Sequence, residues 1–154
     1  MKAVWTAALL FAATATAAPA AGSSNASCHC LPGDACWPST AKWNALNSTV
    51  GGRLIATVPI GSVCHEPTYD AAACAQLQED WNLPQTHYVS SSSIMQQFFA
   101  NRSCDPFTDE STSCELGNYV SYAVNVSSSA DVVAAIKFAK QNNIRFVIKN
   151  TGHE

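Results

Sequence analysis

Charge is scarce in this chain. Only 12% of its 154 residues are charged, and the eight Lys and Arg are scattered rather than clustered. A nucleic-acid binder usually shows a basic patch, so no nucleic-acid partner is expected. Long apolar runs are missing too: none reaches the roughly 18 residues of a spanning helix, so no integral membrane role is expected. The hydrophobic fraction, 47%, is ordinary. With so little charge, the chain as a whole is not intrinsically disordered. Its length allows one domain of ordinary size.

What is present begins with a secretory pattern at residues 1–20. Lys2 is a positive start, Ala3 to Ala13 is apolar, and small residues follow from Ala15 to Ala20. This order suits a signal peptide cleaved after Ala17 or Ala20, and predicts a secreted product. Four sequons follow, at Asn25, Asn47, Asn101 and Asn125. Behind a signal peptide they become candidate glycan sites.

The seven cysteines are Cys28, Cys30, Cys36, Cys64, Cys74, Cys104 and Cys114. An oxidising lumen would convert most of them to disulfides. One must be left over, and spacing alone does not fix the connectivity. Cys64/Cys74 and Cys104/Cys114 share one short interval, and each pair could close a local loop worth ~2–3 kcal/mol. His29, between Cys28 and Cys30, suggests a metal ligand, but tetrahedral sites want a wider cysteine spacing, so no metal is expected. His65 and His87 read as surface residues. Asp105, Asp109 and Glu110 read as a solvated loop, since no calcium-loop spacing surrounds them.

The pattern between the cysteines is mixed. Residues 21–27 form a polar leader, and Cys28 to Cys36 a compact loop turning at Pro32-Gly33. Ser39 looks like the N-cap of a short helix with Trp43 and Leu46 on one face, ended by Gly51-Gly52. Arg53 to Pro59 is extended. Asp70 to Trp81 predicts a helix whose stripe is Tyr69, Ala73, Leu77 and Trp81, with Leu83-Pro84 as its stop. A helical turn is expected between Ile94 and Phe99.

From Tyr119 the text changes. Tyr119 to Val126 is rich in β-branched and aromatic residues, which predicts a strand. Ser128 and Asp131 stand in capping-box positions. Val132, Val133, Ile136 and Ala139 predict the apolar face of a helix reaching about Gln141, with Asn142-Asn143 as its C-cap. Ile144 to Lys149 predicts a second strand, parallel to the first in a β-α-β unit. That strand runs into Asn150-Thr151-Gly152-His153. A loop leaving the C-terminal end of a parallel strand is where α/β proteins place ligands. Gly152 permits close backbone approach, and the amides of Asn150, Thr151 and Gly152 could converge on a phosphate.

Several segments together carry a resemblance. They are Cys30-Leu-Pro-Gly-Asp-Ala-Cys-Trp-Pro-Ser39, Leu46 to Ile55, Tyr69 to Cys74, Tyr119 to Val126, the helix from Asp131, and Ile144-Arg-Phe-Val-Ile-Lys-Asn-Thr-Gly-His153. They resemble the start of secreted FAD-linked oxidoreductases of the berberine-bridge-enzyme-like branch of the vanillyl-alcohol-oxidase (VAO) superfamily. The resemblance implies an α+β fold. A disulfide-rich helical segment, residues 21–117, would lead into the first β-α-β unit of a PCMH-type FAD-binding domain, residues 118–154. It implies FAD as cofactor, bonded covalently at the flavin 8α-carbon by His153, whose neutral imidazole is the nucleophile. Asn150, Thr151 and Gly152 would line the pyrophosphate side. The implied substrates are a small organic molecule, such as a secondary metabolite or carbohydrate, and oxygen.

The chain stops one residue after His153. On this resemblance the domain reads as incomplete, and the chain alone as inactive. No residue matches a catalytic base. The alternative is a small secreted, disulfide-stapled binding or structural protein without cofactor.

Overall fold

The computed structural model describes residues 28–94 and 97–152. The signal-like segment, Asn25 and His153 lie outside the described residues. Eight elements follow in chain order. They are α1 (Thr40–Thr49), β1 (Leu54–Ala56), a 3-10 turn (Ile60–Cys64), α2 (Ala71–Asp80), α3 (Pro84–Tyr88), α4 (Gln97–Ala100), β2 (Tyr122–Val124) and α5 (Ser129–Gln141).

Helix α1 buries Trp43 and Leu46, which with Val50 at its C-cap form the core cluster. Trp43 stacks on Tyr122 with ring centroids 4.0 Å apart, and lies 4.7 Å from Phe138 and 5.6 Å from Trp37. Leu54, Val124, Ala134 and Ile144 close around it. The helix ends where expected, because Gly51 and Gly52 both take positive φ, which glycine adopts without strain. The side chain of Asn47 then accepts a bond from the Leu54 amide at 3.0 Å, joining the end of α1 to β1.

Strands β1 and β2 pair antiparallel, Leu54 opposite Val124 and Ala56 opposite Tyr122. Bonds from Thr57 to Ser121 and from Asn125 to Arg53 extend the ladder at both ends. This corrects the β-α-β expectation. Ile144 makes a single parallel bridge to Cys30, and 145–149 joins no ladder among the described residues. The cause is local. Asn143 turns the chain at φ 50°, its carbonyl accepts from the Cys30 amide, and the Ile144 amide bonds Ala139. The chain therefore leaves α5 beside the Cys30–Cys36 loop. Phe146, Val147 and Ile148 stay exposed.

The α5 capping box forms as expected, with Ser128 as N-cap and Asp131 answering it. Its packed face differs from the expected one. Ala134 and Phe138, four apart, pack on the core and Ala139 is buried, whereas Val132, Val133 and Ile136 are exposed. In α2 the buried residue is Cys74. Its bridge to Cys64 turns that side of the helix inward, so Tyr69 is left exposed while Trp81 is buried. Pro84 does more than stop α2: it occupies the first turn of α3, where its missing N–H costs nothing.

Three disulfides form, Cys30–Cys36, Cys64–Cys74 and Cys104–Cys114, and Cys28 is unpaired and exposed. Both central histidines correct the surface expectation, since His65 and His87 are fully buried. His65 sits beside the Cys64 bridge and its Nε2 is 3.0 Å from the Asp105 carbonyl. His87 has polar partners on both ring nitrogens.

Candidate functional site: a turn seated on helix α3

The turn Asn150–Gly152 is reached from α5 through the extended run 145–149. It does not hang free. The Lys149 ammonium donates to three backbone carbonyls: His87 at 2.9 Å, Ser90 at 2.6 Å and Ser93 at 3.2 Å. An ammonium has three donors and no acceptor, so these three acceptors match its capacity. The His87 carbonyl is available because α3 ends at Tyr88, and the last carbonyls of a helix have no partner within it, while those of Ser90 and Ser93 belong to the serine turn that follows.

The serine turn is folded by its own side chain. Ser90 Oγ accepts from the amides of Ser92 and Ser93, at 3.3 and 3.0 Å. Beneath it, His87 Nε2 lies 2.7 Å from the Trp81 carbonyl, and Nδ1 lies 2.7 Å from Ser93 Oγ. A carbonyl can only accept, so Nε2 carries the hydrogen and Ser93 donates to Nδ1. The Trp81 ring meets His87 edge-on at 5.0 Å. Tyr119 also bonds Ser93. Burial raises the Tyr119 phenol above its ordinary pKa, the Ser93 bond opposes this, and the Asp105 charge adds to it.

Gly152 is buried, with φ of +82°. A Cβ there would lie 2.8 Å from Lys149 Cε and 3.4 Å from Tyr88 Cδ1. A side chain there would press on the Lys149 stem, and the positive φ itself favours glycine. Asn150 and Thr151 are exposed between the two anchors. His153, the expected covalent ligand, lies outside the described residues.

The other candidates scatter. Asn101 and Asn125 are exposed, and Asn47 is half-buried within α1. His29 is exposed, 3.3 Å from the Asn143 carbonyl. Among the described residues no group of three or more His, Cys, Asp and Glu could hold a metal. Asp109 and Glu110 are exposed, and Asp105 accepts from the Phe107 amide. Sequence reasoning missed Lys149, His87, Ser90 and Ser93. The serine run and the helix stop at Pro84 were visible, but nothing local connects them to a lysine some 60 residues later.

The architecture defines a class: a disulfide-stapled α+β unit whose last helix delivers a glycine turn. Known proteins narrow it. No family model matches the chain. It is 57% identical over 142 residues to the FAD-linked oxidoreductase sor8 of Hypocrea jecorina, covering 92% of this chain and 25% of that protein. It is 53% identical over 130 residues to the FAD-linked oxidoreductase ZEB1 of Gibberella zeae, covering 84% and 23%. Among solved structures, the VAO-type flavoprotein MtVAO615 of Myceliophthora thermophila superposes with a TM-score of 0.79 at 54% identity, over 82% of this chain and 24% of that one. The chain is a relative of the VAO-type FAD-linked oxidoreductases, and FAD is the cofactor of that family. It spans about a quarter of the length of the curated relatives it matches.

Proposed function

We propose that this chain serves a secreted FAD-linked oxidoreductase of the berberine-bridge-enzyme-like branch, and within it presents the turn Asn150–His153 to the cofactor. The observation that carries the reading is the seated glycine turn, in a chain 57% identical to an FAD-linked oxidoreductase over 92% of its length. When bound, FAD supplies the electron acceptor for oxidising a small organic substrate, with oxygen as final acceptor. Asn150 to Gly152 would hold the pyrophosphate side of FAD, and His153 would be the residue that tethers the flavin. Secretion is supported by the signal-like start and by disulfides, which persist in oxidising compartments. The cofactor-free binding protein is not favoured by these relatives.

A chimera tests the reading. This chain replaces the matching segment of MtVAO615. The purified chimera should be yellow, and the colour should stay with acid-precipitated protein. His153→Ala should release the flavin to the supernatant. A folded but colourless parent chimera would overturn the reading.

The 154-residue chain by itself should hold no flavin stably. Two open cavities among its described residues, of about 250 and 450 Å³, lie away from Asn150–Gly152. A stoichiometric, acid-stable yellow product from the chain alone would contradict this.

A further inference from the structure

The Lys149 tie and the Gly152 contact fix the turn at both of its ends. Lys149 reaches across 56 to 62 residues of sequence to three carbonyls around the end of α3. Three residues later, Gly152 is buried, and a Cβ built there would meet the Lys149 stem and the Tyr88 ring at the same helix end. Asn150 and Thr151 are the exposed pair held between these two points.

The seat is itself rigid. Ser93, whose carbonyl receives Lys149, spends its hydroxyl on His87 and its amide on Ser90. His87, whose carbonyl also receives Lys149, is locked in one tautomer by Trp81. A half-buried ammonium with matched acceptors is costly to displace, because withdrawal leaves buried carbonyls unpaired. The three acceptors at His87, Ser90 and Ser93 are all backbone carbonyls, so this tie is an ion held by dipoles.

We propose that Lys149 is a positioning residue that preforms the Asn150–Gly152 turn, ordering it before any cofactor arrives. Preorganisation of this kind lowers the ordering cost of binding. As a device for flavin attachment the proposal rests on the function proposed above. As a device for ordering the turn it stands on the geometry alone.

Solution NMR on the intact 154-residue chain separates the two. One lysine ammonium should give a slowly exchanging signal, and Lys149→Met should remove it. In the same variant the amides of Asn150, Thr151 and Gly152 should lose their order, read by the heteronuclear NOE, while the Trp43 and Tyr122 signals stay in place. A second variant guards against general unfolding. Lys149→Ala should regain turn order in methylammonium chloride, which can refill the three-carbonyl seat, and not in sodium chloride. A turn that stays ordered in Lys149→Met, or an alanine variant that ignores methylammonium, would overturn the proposal.

The MtVAO615 chimera then reads the consequence. Lys149→Met should slow covalent flavin attachment by roughly a hundredfold, the scale expected of a misplaced reacting group, while the chimera stays folded with a lowered melting temperature. Undiminished attachment would remove any positioning role. A colourless parent chimera would sink the flavin reading and leave the preformed turn to be judged by NMR.

Discussion

Arg53 holds Asp131 through a single nitrogen: Nη2 lies 2.7 Å from each carboxylate oxygen. The same carboxylate accepts from the amides of Ser127 and Ser128, at 2.9 and 3.0 Å. One side chain therefore caps α5 and binds the residue that leads into β1. The Ser127 amide and then Arg53 hold the Asp131 carboxyl far below the usual carboxylate range.

Acid should undo this junction. A carboxylate with a depressed folded pKa contributes stability above its unfolded value, near 3.9, and loses it as pH falls toward the folded value. Asp131→Asn should lower the melting temperature at pH 7, and the gap to the parent should narrow below about pH 4. Thermal unfolding followed by circular dichroism at both pH values decides it. A gap that does not change with pH would mean the ionised form is not what matters.

The N-cap hydroxyl is a separate, milder contributor. Ser128 Oγ accepts from the Asp131 amide. Ser128→Ala should cost about 1 kcal/mol in denaturant unfolding, as N-cap losses do. Leu46→Ala, in the buried core, should cost more, about 2–5 kcal/mol. Equal effects would contradict the placement of Leu46 in the core.

Thiol chemistry checks the covalent frame. The folded chain should show one reactive thiol, Cys28, and disulfide mapping should recover Cys30–Cys36, Cys64–Cys74 and Cys104–Cys114. Replacing Cys64 and Cys74 together by serine should cost about 2–4 kcal/mol. A tryptic map linking Cys28 to any other cysteine would refute the assignment.

Glycan occupancy should follow exposure. On a chain expressed through a secretory host, Asn101 and Asn125 should carry glycans more fully than Asn47, which is half-buried in α1 with its side-chain oxygen bonded to Leu54. Enzymatic deglycosylation in heavy-oxygen water, followed by mass spectrometry, reads each site. Higher occupancy at Asn47 would contradict the ranking.

Local chemistry made much of the fold legible. The Ser128/Asp131 box, the Gly51-Gly52 stop and the two equal cysteine intervals each depend on residues close in sequence, and each formed. Long-range pairing was not legible. The run Tyr119 to Val126 looked like one half of a parallel pair, yet its partner is β1, some 70 residues earlier. His87 was misplaced because Trp81 and Ser93, each six residues away, fold over its ring, and Lys149 arrives at its carbonyl from 62 residues later. At the site, the glycine was readable from its neighbours, whereas the lysine tie existed only once the ends of α3 and the extended run met.

The position of Trp43 sets a timetable for synthesis. Its cluster needs Tyr122 and Phe138, so the centre of the molecule cannot close until α5 has left the ribosome. The three bridges span only six to ten residues each and can close far earlier. Contacts of long sequence separation form slowly. Trp37 and Trp43 therefore stay unpacked until α5 has been made, whereas Trp81 can already pack on His87 and Phe107.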